Sequence, residues 1–433
     1  MPEAINIISV NCGSSSIKFS IFKILEKSVK NNPLLNIERT GFGKIEEIGT
    51  PFGEYHFETK NKNYAAKLNF KNHIEAINFM LRKLGLHHNS SNSSNIKIKE
   101  FRKNGLNASA LKIDIVAHRF VNGGKYFNEP IIASKKNIVK LSKLDELAPL
   151  HNPSSLKGLE IMAEYMPNAK QVCIFDTAFH KNIPLCAKLY PIPIDYYIKY
   201  NIKKFGFHGI SYSYINEILN LNRGAIKKIA VCHLGNGASI CAIKNGASID
   251  TSMGYTPLEG LMMGTRSGNL DPSIPFILQE KLNISGSEMY NILNKKSGVL
   301  GISGKTYDFK ELLNYKDKYS KLAFKMYAYR VIKFIGQYAA SMNGLDALVF
   351  TGGIGENSSL LRKEVGGNLS YLGIKIDNKK NKEASQYFQT FNAHGKIKVN
   401  KSIKSIGTGK TPVFVIHTDE ERQMASEALN LVF

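Results

Sequence analysis

The chain has 433 residues, 43% of them hydrophobic, which allows two or three domains of roughly 150 residues, each with its own core. Its 58 Lys and Arg against 35 Asp and Glu leave a net charge of +23, but the excess is mostly lysine spread along the chain. With no arginine-rich block and no aromatic-interleaved basic stripe, it reads as a solvated surface and no nucleic-acid partner is expected, a nucleic-acid binder being the rival that charge alone offers.

The first predicted element lies in NIISVNCGSSSIKFSIF, residues 6–22. An apolar run ends in Asn11, then come Cys12, Gly13 and three serines, and then Ile17, Phe19 and Ile21 on alternate positions. Period two after the turn predicts a β-hairpin of residues 5–10 and 17–25, not the strand–loop–helix of a P-loop. Residues 87–108 are polar and Asn/Ser-rich, and they read as a surface insertion with no assigned function. IDIVAHRFVNGG (113–124) reads as a buried strand running into a glycine turn, with Arg119 near its end. Residues 151–166 read as a helix, with Pro153 and Ser154 or Ser155 in its first positions and Leu156, Leu159 and Met162 at helical spacing. QVCIFDTAFH (171–180) reads as a strand ending in polar residues, Asp176 first among them.

IAVCHLGNGASICAI (229–243) repeats the opening pattern of apolar strand, small polar turn and apolar strand. Two such halves imply a duplicated α/β domain with a phosphate-cradling hairpin in each. Residues 320–342 form a long amphipathic helix with Leu322, Met326, Val331, Phe334, Tyr338 and Met342 near one face. ALVFTGGIGENSSLLRK (347–363) reads as strand, glycine turn and helix, the helix N-terminus near Ser358 facing an anion or nucleotide. PVFVIHTDEERQMASEAL reads as a strand followed by a helix, with Glu420 at the helix start.

The five cysteines, at 12, 173, 186, 232 and 241, have no CxxC spacing, which argues against a disulfide framework or a zinc site and for a reducing compartment. No run reaches the ~18 apolar residues of a membrane span, and MPEAINIISV lacks the regions of a secretory leader. A cytoplasmic protein without a membrane partner is expected.

Several polar residues stand beside open backbone. Arg119 and Arg266, the latter in LMMGTRSGNLDPS, lie amid glycines, where a guanidinium can stabilise a negatively charged transition state or form a structural ion pair. Asp176 can hold a metal, orient an attacking group or cap the next turn. Glu420 can act in a site or complement the helix dipole, and Asn11 can ligate Mg²⁺ or form an Asx turn. His208, in FGFHGIS, is flanked by glycines that open space around its ring.

NCGSSSIKF, HRFVNGG, PLHNP, FDTAFH, FGFHGIS, HLGNGAS, TPLEGLMMGTRSGNLDP, GGIGEN and TDEE occur in this order along the chain. As a set they resemble the acetate kinase family over essentially the whole sequence. The resemblance implies two ribonuclease-H-like, actin-like ATPase α/β domains around a central cleft. The first would be residues 1–176 closed by 422–433, and the second, nucleotide-binding, residues 177–421. It implies ATP + acetate ⇌ ADP + acetyl phosphate with Mg²⁺ (Mn²⁺ as an alternative), in a homodimer.

In that reading Arg119, Arg266 and His208 stabilise the transferring phosphoryl group, and Asp176 orients the reactants. Asn11, Asp176 and Glu420 organise the metal. Arg119, Val121, Leu150, Phe207 and Pro257 form the acetate site. Ser14, Ser16, Lys18, His233, Gly235, Asn236, Gly237, Asp308, Lys310, Gly353, Gly355 and Asn357 serve the nucleotide. Asn122, Tyr307 and Lys310 depart from the family pattern, and lysine at 310 lacks arginine's planar stacking surface. A propionate or butyrate kinase, a sugar kinase and a nucleotide-dependent interaction protein are the rival readings.

Overall fold

The computed structural model describes residues 4–30, 32–59, 63–86, 112–145, 147, 152–224, 226–392 and 401–433. The proposed surface insertion at 87–108 and Leu150 lie outside these residues. Contacts divide the chain into two units, Met1–Ala178 with Glu420–Phe433, and Phe179–Asp419.

The first unit is built on strands β1 (Ala4–Cys12), β2 (Ile17–Leu25), β3 (Glu38–Glu46), β4 (Glu54–Thr59), β5 (Asn63–Lys67), β6 (Ile115–Phe120), β7 (Ile131–Ile132) and β8 (Lys170–Phe175). Their order in the sheet is β5-β4-β3-β2-β1-β6-β8-β7. The expected hairpin is there, with Val10 opposite Phe19 and Cys12 opposite Ile17. Its turn closes through Gly13 N–H donating to Ser16 O at 2.8 Å. Strands β1, β6 and β8 run parallel and β7 antiparallel to β8. On one side of the sheet Phe19 stacks on Phe57, and Ile77, Met80 and Met162 are fully buried with them. Each such side chain contributes about 1.5–3 kcal/mol of transfer free energy. Cys12 belongs to this core. Burial pushes its thiol up to about 12, so it is no nucleophile.

The second unit repeats the plan with β9 (Lys228–Leu234), β10 (Ala238–Lys244), β11 (Ala247–Thr251), β12 (Ala347–Thr351), β13 (Ile403–Ser405) and β14 (Val413–Ile416). The order is β11-β10-β9-β12-β14-β13. Three antiparallel strands again adjoin two parallel ones, with a final antiparallel edge. The matching series β3-β2-β1-β6-β8 and β11-β10-β9-β12-β14 is the duplication that the two echoing hairpins announced.

Two sequence expectations need correction. The helix Lys318–Met342 forms, but its buried stripe runs through Ala323, Tyr327, Val331, Ile335 and Tyr338. Leu322 is exposed, and Met326 and Phe334 are only partly covered. Val331, Tyr338 and Met342 are buried as expected, and the difference is one of phase: the buried stripe steps by four residues from Ala323 to Ile335 and by three to Tyr338, one position beyond Leu322, Met326 and Phe334. The second correction concerns GGIGEN. It is not a turn but is itself the helix Gly352–Asn357, starting straight after β12, while the helix expected near Ser358 does form, as Ser359–Gly367 with Ser358 at its N-cap. Gly352 permits this abrupt start. Its φ is +77°, and a Cβ there would lie 2.8 Å from Leu234 O.

Candidate active site

Both clusters of predicted residues sit where strands end. In the first unit, β6 and β8 place Arg119 and Asp176 side by side, and Asp176 N–H donates to Phe120 O at 3.0 Å. Arg119 then forks onto Asp176. Nε donates to Oδ1 at 3.0 Å and Nη2 to Oδ2 at 2.6 Å. The Asp176 side chain is only 2% exposed. Glu420 approaches from the last helix, its Oε2 3.9 Å from Arg119 Nη1. That helix, Glu420–Val432, is pinned to β1 by Ser9 Oγ donating to Glu421 O at 2.7 Å. Arg422 adds a bond from Nη1 to Ile37 O at 2.6 Å. Burial alone would lower the Arg119 pKa, but Asp176 and Glu420 outweigh it and raise it, so the guanidinium stays charged.

Asn11 stands at the end of β1, one residue past Val10, which pairs with His118 beside Arg119. Asn11, Asp176 and Glu420 thus bring three oxygen-bearing side chains to one end of the sheet, a hard donor set suited to Mg²⁺. Both Asp176 oxygens already accept from Arg119, so the set suits an ion that keeps several waters. Among the described residues no three His, Cys, Asp or Glu side chains gather as a metal cage. Val121 follows β6, half-buried, and Gly123 N–H donates to Thr177 Oγ1 at 3.1 Å. Asn122 is fully buried and its Oδ1 accepts from Gly124 N–H at 2.8 Å. Ser14 and Lys18 are exposed and Ser16 half-buried around the first turn.

In the second unit, Gly237 is the centre of the arrangement. A Cβ on it would lie 3.5 Å from His208 Nε2 and 3.7 Å from Arg266 Nη1, so the missing side chain leaves a space that both groups border. His208 has φ +58° and caps the helix Gly209–Arg223. Phe207 is buried, and its carbonyl bonds His180 Nε2 at 3.0 Å. The His208 ring stacks on His233, with centroids 4.3 Å apart. Its Nδ1 lies 2.8 Å from Ser239 Oγ. His233 Nδ1 bonds Ser211 Oγ at 2.9 Å, which reaches Thr418 Oγ1 at 2.8 Å.

Arg266 donates weakly from Nη1 to Pro257 O at 3.5 Å, and among the described residues no carboxylate pairs with it. Burial lowers its pKa from the usual arginine value. A half-buried guanidinium without a counter-ion is a ready anion receptor. Its loop is held from below: Val299 N–H donates to Met263 O at 2.9 Å, and Ser297 N–H to Thr265 O at 3.0 Å.

The turn Gly235–Asn236–Gly237 closes by Gly235 N–H donating to Gly237 O at 3.1 Å, and Gly264 N–H donates to Asn236 O at 3.3 Å. Thr351 pairs with His233, so the helix Gly352–Asn357 starts beside this turn. Gly353 is exposed, with open space where a Cβ would be. Gly355 is buried, and Asn357 Nδ2 donates to Gly353 O at 2.8 Å. Asp308 caps a short helix by accepting from Glu311 N–H at 2.9 Å, and Lys310 is exposed.

Sequence reasoning passed over Glu356, which is 3% exposed. It accepts from Gly352 N–H at 3.0 Å and Thr418 N–H at 3.2 Å, and pairs with His417 Nδ1 at 2.7 Å. Burial acts to raise its pKa, but His417 and the two N–H groups outweigh it and bring it below the usual carboxylate value. An acidic residue among glycines in GGIGEN was the available signal. An open groove of about 650 Å³, lined by Arg223, Lys227, Asp346 and Phe414 among others, holds none of the predicted residues. It lies at the N-terminal ends of β12 and β14, away from the chemistry.

The sequence matches the Acetokinase family over residues 6–426. It is 42% identical to an acetate kinase of Thermoanaerobacterium thermosaccharolyticum, across 98% of both chains. It is 38% identical to an acetate kinase of Thermotoga maritima over the same share of each. Among solved structures, Porphyromonas gingivalis acetate kinase aligns with TM-score 0.82 and 32% identity, covering 99% of this chain and 100% of that one. A Francisella tularensis propionate kinase aligns with TM-score 0.82 and 35% identity at the same coverage. The chain belongs to the acetokinase family.

Proposed function

We propose that this chain catalyses reversible phosphoryl transfer between ATP and acetate, giving ADP and acetyl phosphate by direct in-line displacement. The observation that carries the proposal is Arg266: a half-buried cation with no carboxylate partner among the described residues, bordering with His208 the space left by Gly237. A carboxylate oxygen attacks the γ-phosphorus, the bond to the β-bridging oxygen breaks, and ADP leaves with that electron pair. Acetate is already anionic, so no base has to remove a proton, and the difficulty is joining two anions. Arg119, Arg266 and His208 offset the negative charge of the transferring group. Asp176 acts here by fixing the plane of the Arg119 guanidinium through its two-point bond, and no covalent role for it is required.

Asn11, Asp176 and Glu420 would hold Mg²⁺, largely through water, and when bound the ion neutralises phosphate charge. Mn²⁺ suits the same oxygen donors. The segments 235–237, 353–357 and 308–310 receive the nucleotide, with Ser14, Ser16, Lys18 and His233 near its phosphates. Val121, Phe207 and Pro257, with Leu150, seat the acid's methyl group. The solved propionate kinase keeps a longer acid as the second reading, and one methylene is worth only ~1–3 kcal/mol in an apolar pocket.

A homodimer is part of the proposal. It is supported by exposed Ile194, Ile198, Tyr200 and Phe276, large apolar side chains that a partner would cover. A cytoplasmic setting is proposed alongside it, and among the described residues no helix is long and apolar enough to cross a membrane. The test is MgATP consumption with no acid, acetate, propionate or butyrate, trapping acyl phosphate with hydroxylamine. Hydroxamate forming fastest with acetate is the expected result. ATP turnover without hydroxamate would refute the proposal, and faster reaction with propionate would move it to the second reading.

A further inference from the structure

We infer that Tyr212 and Ser239 are positioning residues that decide which nitrogen of His208 carries its proton, so that the neutral ring presents Nε2–H. The inference rests on His208 being a phosphoryl ligand, as proposed for this chain. His208 Nδ1 lies 2.8 Å from Ser239 Oγ, and the Tyr212 hydroxyl bonds the same oxygen. Tyr212 and Ser239 are both 0% exposed. The Ser239 oxygen is the sole hydrogen-bond partner of the phenol among the described residues.

Ser239 has one hydrogen to give. If it went to the phenol oxygen, the Tyr212 O–H would be buried with no acceptor, an arrangement that folded proteins avoid. Tyr212 therefore donates to Ser239 Oγ. Were His208 Nδ1–H to donate to the same oxygen, the Ser239 hydrogen would in turn be buried with no acceptor among the described residues, so it turns to His208 Nδ1, which accepts it with a lone pair. In a neutral imidazole the other nitrogen then holds the proton. Burial raises the Tyr212 pKa well above its ordinary value, which keeps the phenol a donor.

The geometry aims this choice. Nε2 borders the Gly237 space together with Arg266 Nη1, so an N–H and a guanidinium offer hydrogen to the same region. The reverse order would point a lone pair at phosphoryl oxygens, which are also lone-pair donors. One helical turn ties the parts together: Tyr212 N–H donates to His208 O at 3.0 Å, and both side chains converge on β10. The stacked His233 uses Ser211 instead and does not compete for Ser239.

The test is nitrogen NMR of ¹⁵N-histidine-labelled full-length protein without nucleotide, at about pH 8, where an ordinary histidine is neutral. The His208 signals are those missing from His208→Gln. The expected spectrum has a protonated Nε2 and a bare Nδ1. In Tyr212→Phe and in Ser239→Ala the ring should shift to a mixture of tautomers. Their kcat should fall about tenfold, part of the effect of losing a transition-state donor outright, while KM for acid and nucleotide stays within about twofold. A wild-type ring protonated at Nδ1 would overturn the inference. So would both variants keeping the Nε2–H form, whatever their kcat. If the wild type shows the expected tautomer but forms no acyl phosphate, the functional assignment fails and the relay stands.

Discussion

Arg266→Ala and Arg119→Ala should abolish the same activity but differ in their effect on stability, small for the first and large for the second. Among the described residues the Arg266 side chain makes only long hydrogen bonds, 3.5 Å to Pro257 O and 3.7 Å to Met263 Sδ, and burial disfavours its charge. Removing it should change unfolding free energy by no more than about 1 kcal/mol, the ordinary worth of a single hydrogen bond. Its loss from the transition state is larger. A unit charge about 4 Å from a developing anion contributes about 4 kcal/mol at an effective dielectric of ~20, or close to a thousandfold in kcat. Arg119→Ala, by contrast, leaves Asp176 unpaired with a side chain 2% exposed, at a cost of about 3–5 kcal/mol. Hydroxamate kinetics and denaturant unfolding of both variants supply the comparison. Wild-type kcat in Arg266→Ala would refute the anion-receptor argument, and so would a loss of stability in Arg266→Ala as large as that in Arg119→Ala.

Gly237→Ala should fold normally, because the added methyl meets His208 Nε2 at 3.5 Å and Arg266 Nη1 at 3.7 Å, ordinary contact distances. By filling that space it should lower kcat/KM about a hundredfold, and kinetics equal to wild type would remove Gly237 from the site. Glu356→Ala should raise the nucleotide KM and cost about 3 kcal/mol, since it frees Gly352 N–H, Thr418 N–H and His417 at once. Calorimetry and ATP titration check both effects. Acid should destabilise the first unit through His118, which is 2% exposed and bonded to Gln171. Burial lowers its pKa from 6.5 to about 4. The unfolded chain therefore binds the proton more readily, and this stabilisation is complete above pH ~6.5 and is lost as pH falls toward ~4, roughly 3 kcal/mol in all. Denaturant unfolding across that range should show the slope in wild type and a flatter limb in His118→Gln. Equal slopes would exclude His118 as the cause.

By itself the sequence determined the elements whose signal is local. Period two in residues 17–22 specified a strand after Gly13, and the repeat at 229–243 specified a second copy of the same hairpin, because strand alternation and small turn residues act within a few positions. It also marked Arg119, Asp176, His208 and Arg266 as polar side chains beside open backbone. Tertiary structure alone decided what each of them meets. Arg119 and Asp176 are 57 residues apart in the chain and touch because β6 and β8 are neighbours. Among the described residues Arg266 acquires no carboxylate, while Arg119 acquires two. Identical side chains thus become an anion receptor in one place and a held ion pair in the other. Glycine signals were the least legible. GGIGEN reads as a turn, yet it is a helix, because Gly352 adopts φ +77° against Leu234 and Glu356 satisfies its N–H. The roles of Ser239, Tyr212 and Glu356 were hidden for the same reason: a hydrogen bond is specified by distance and direction in three dimensions, and the residue spacing along one strand carries no record of either.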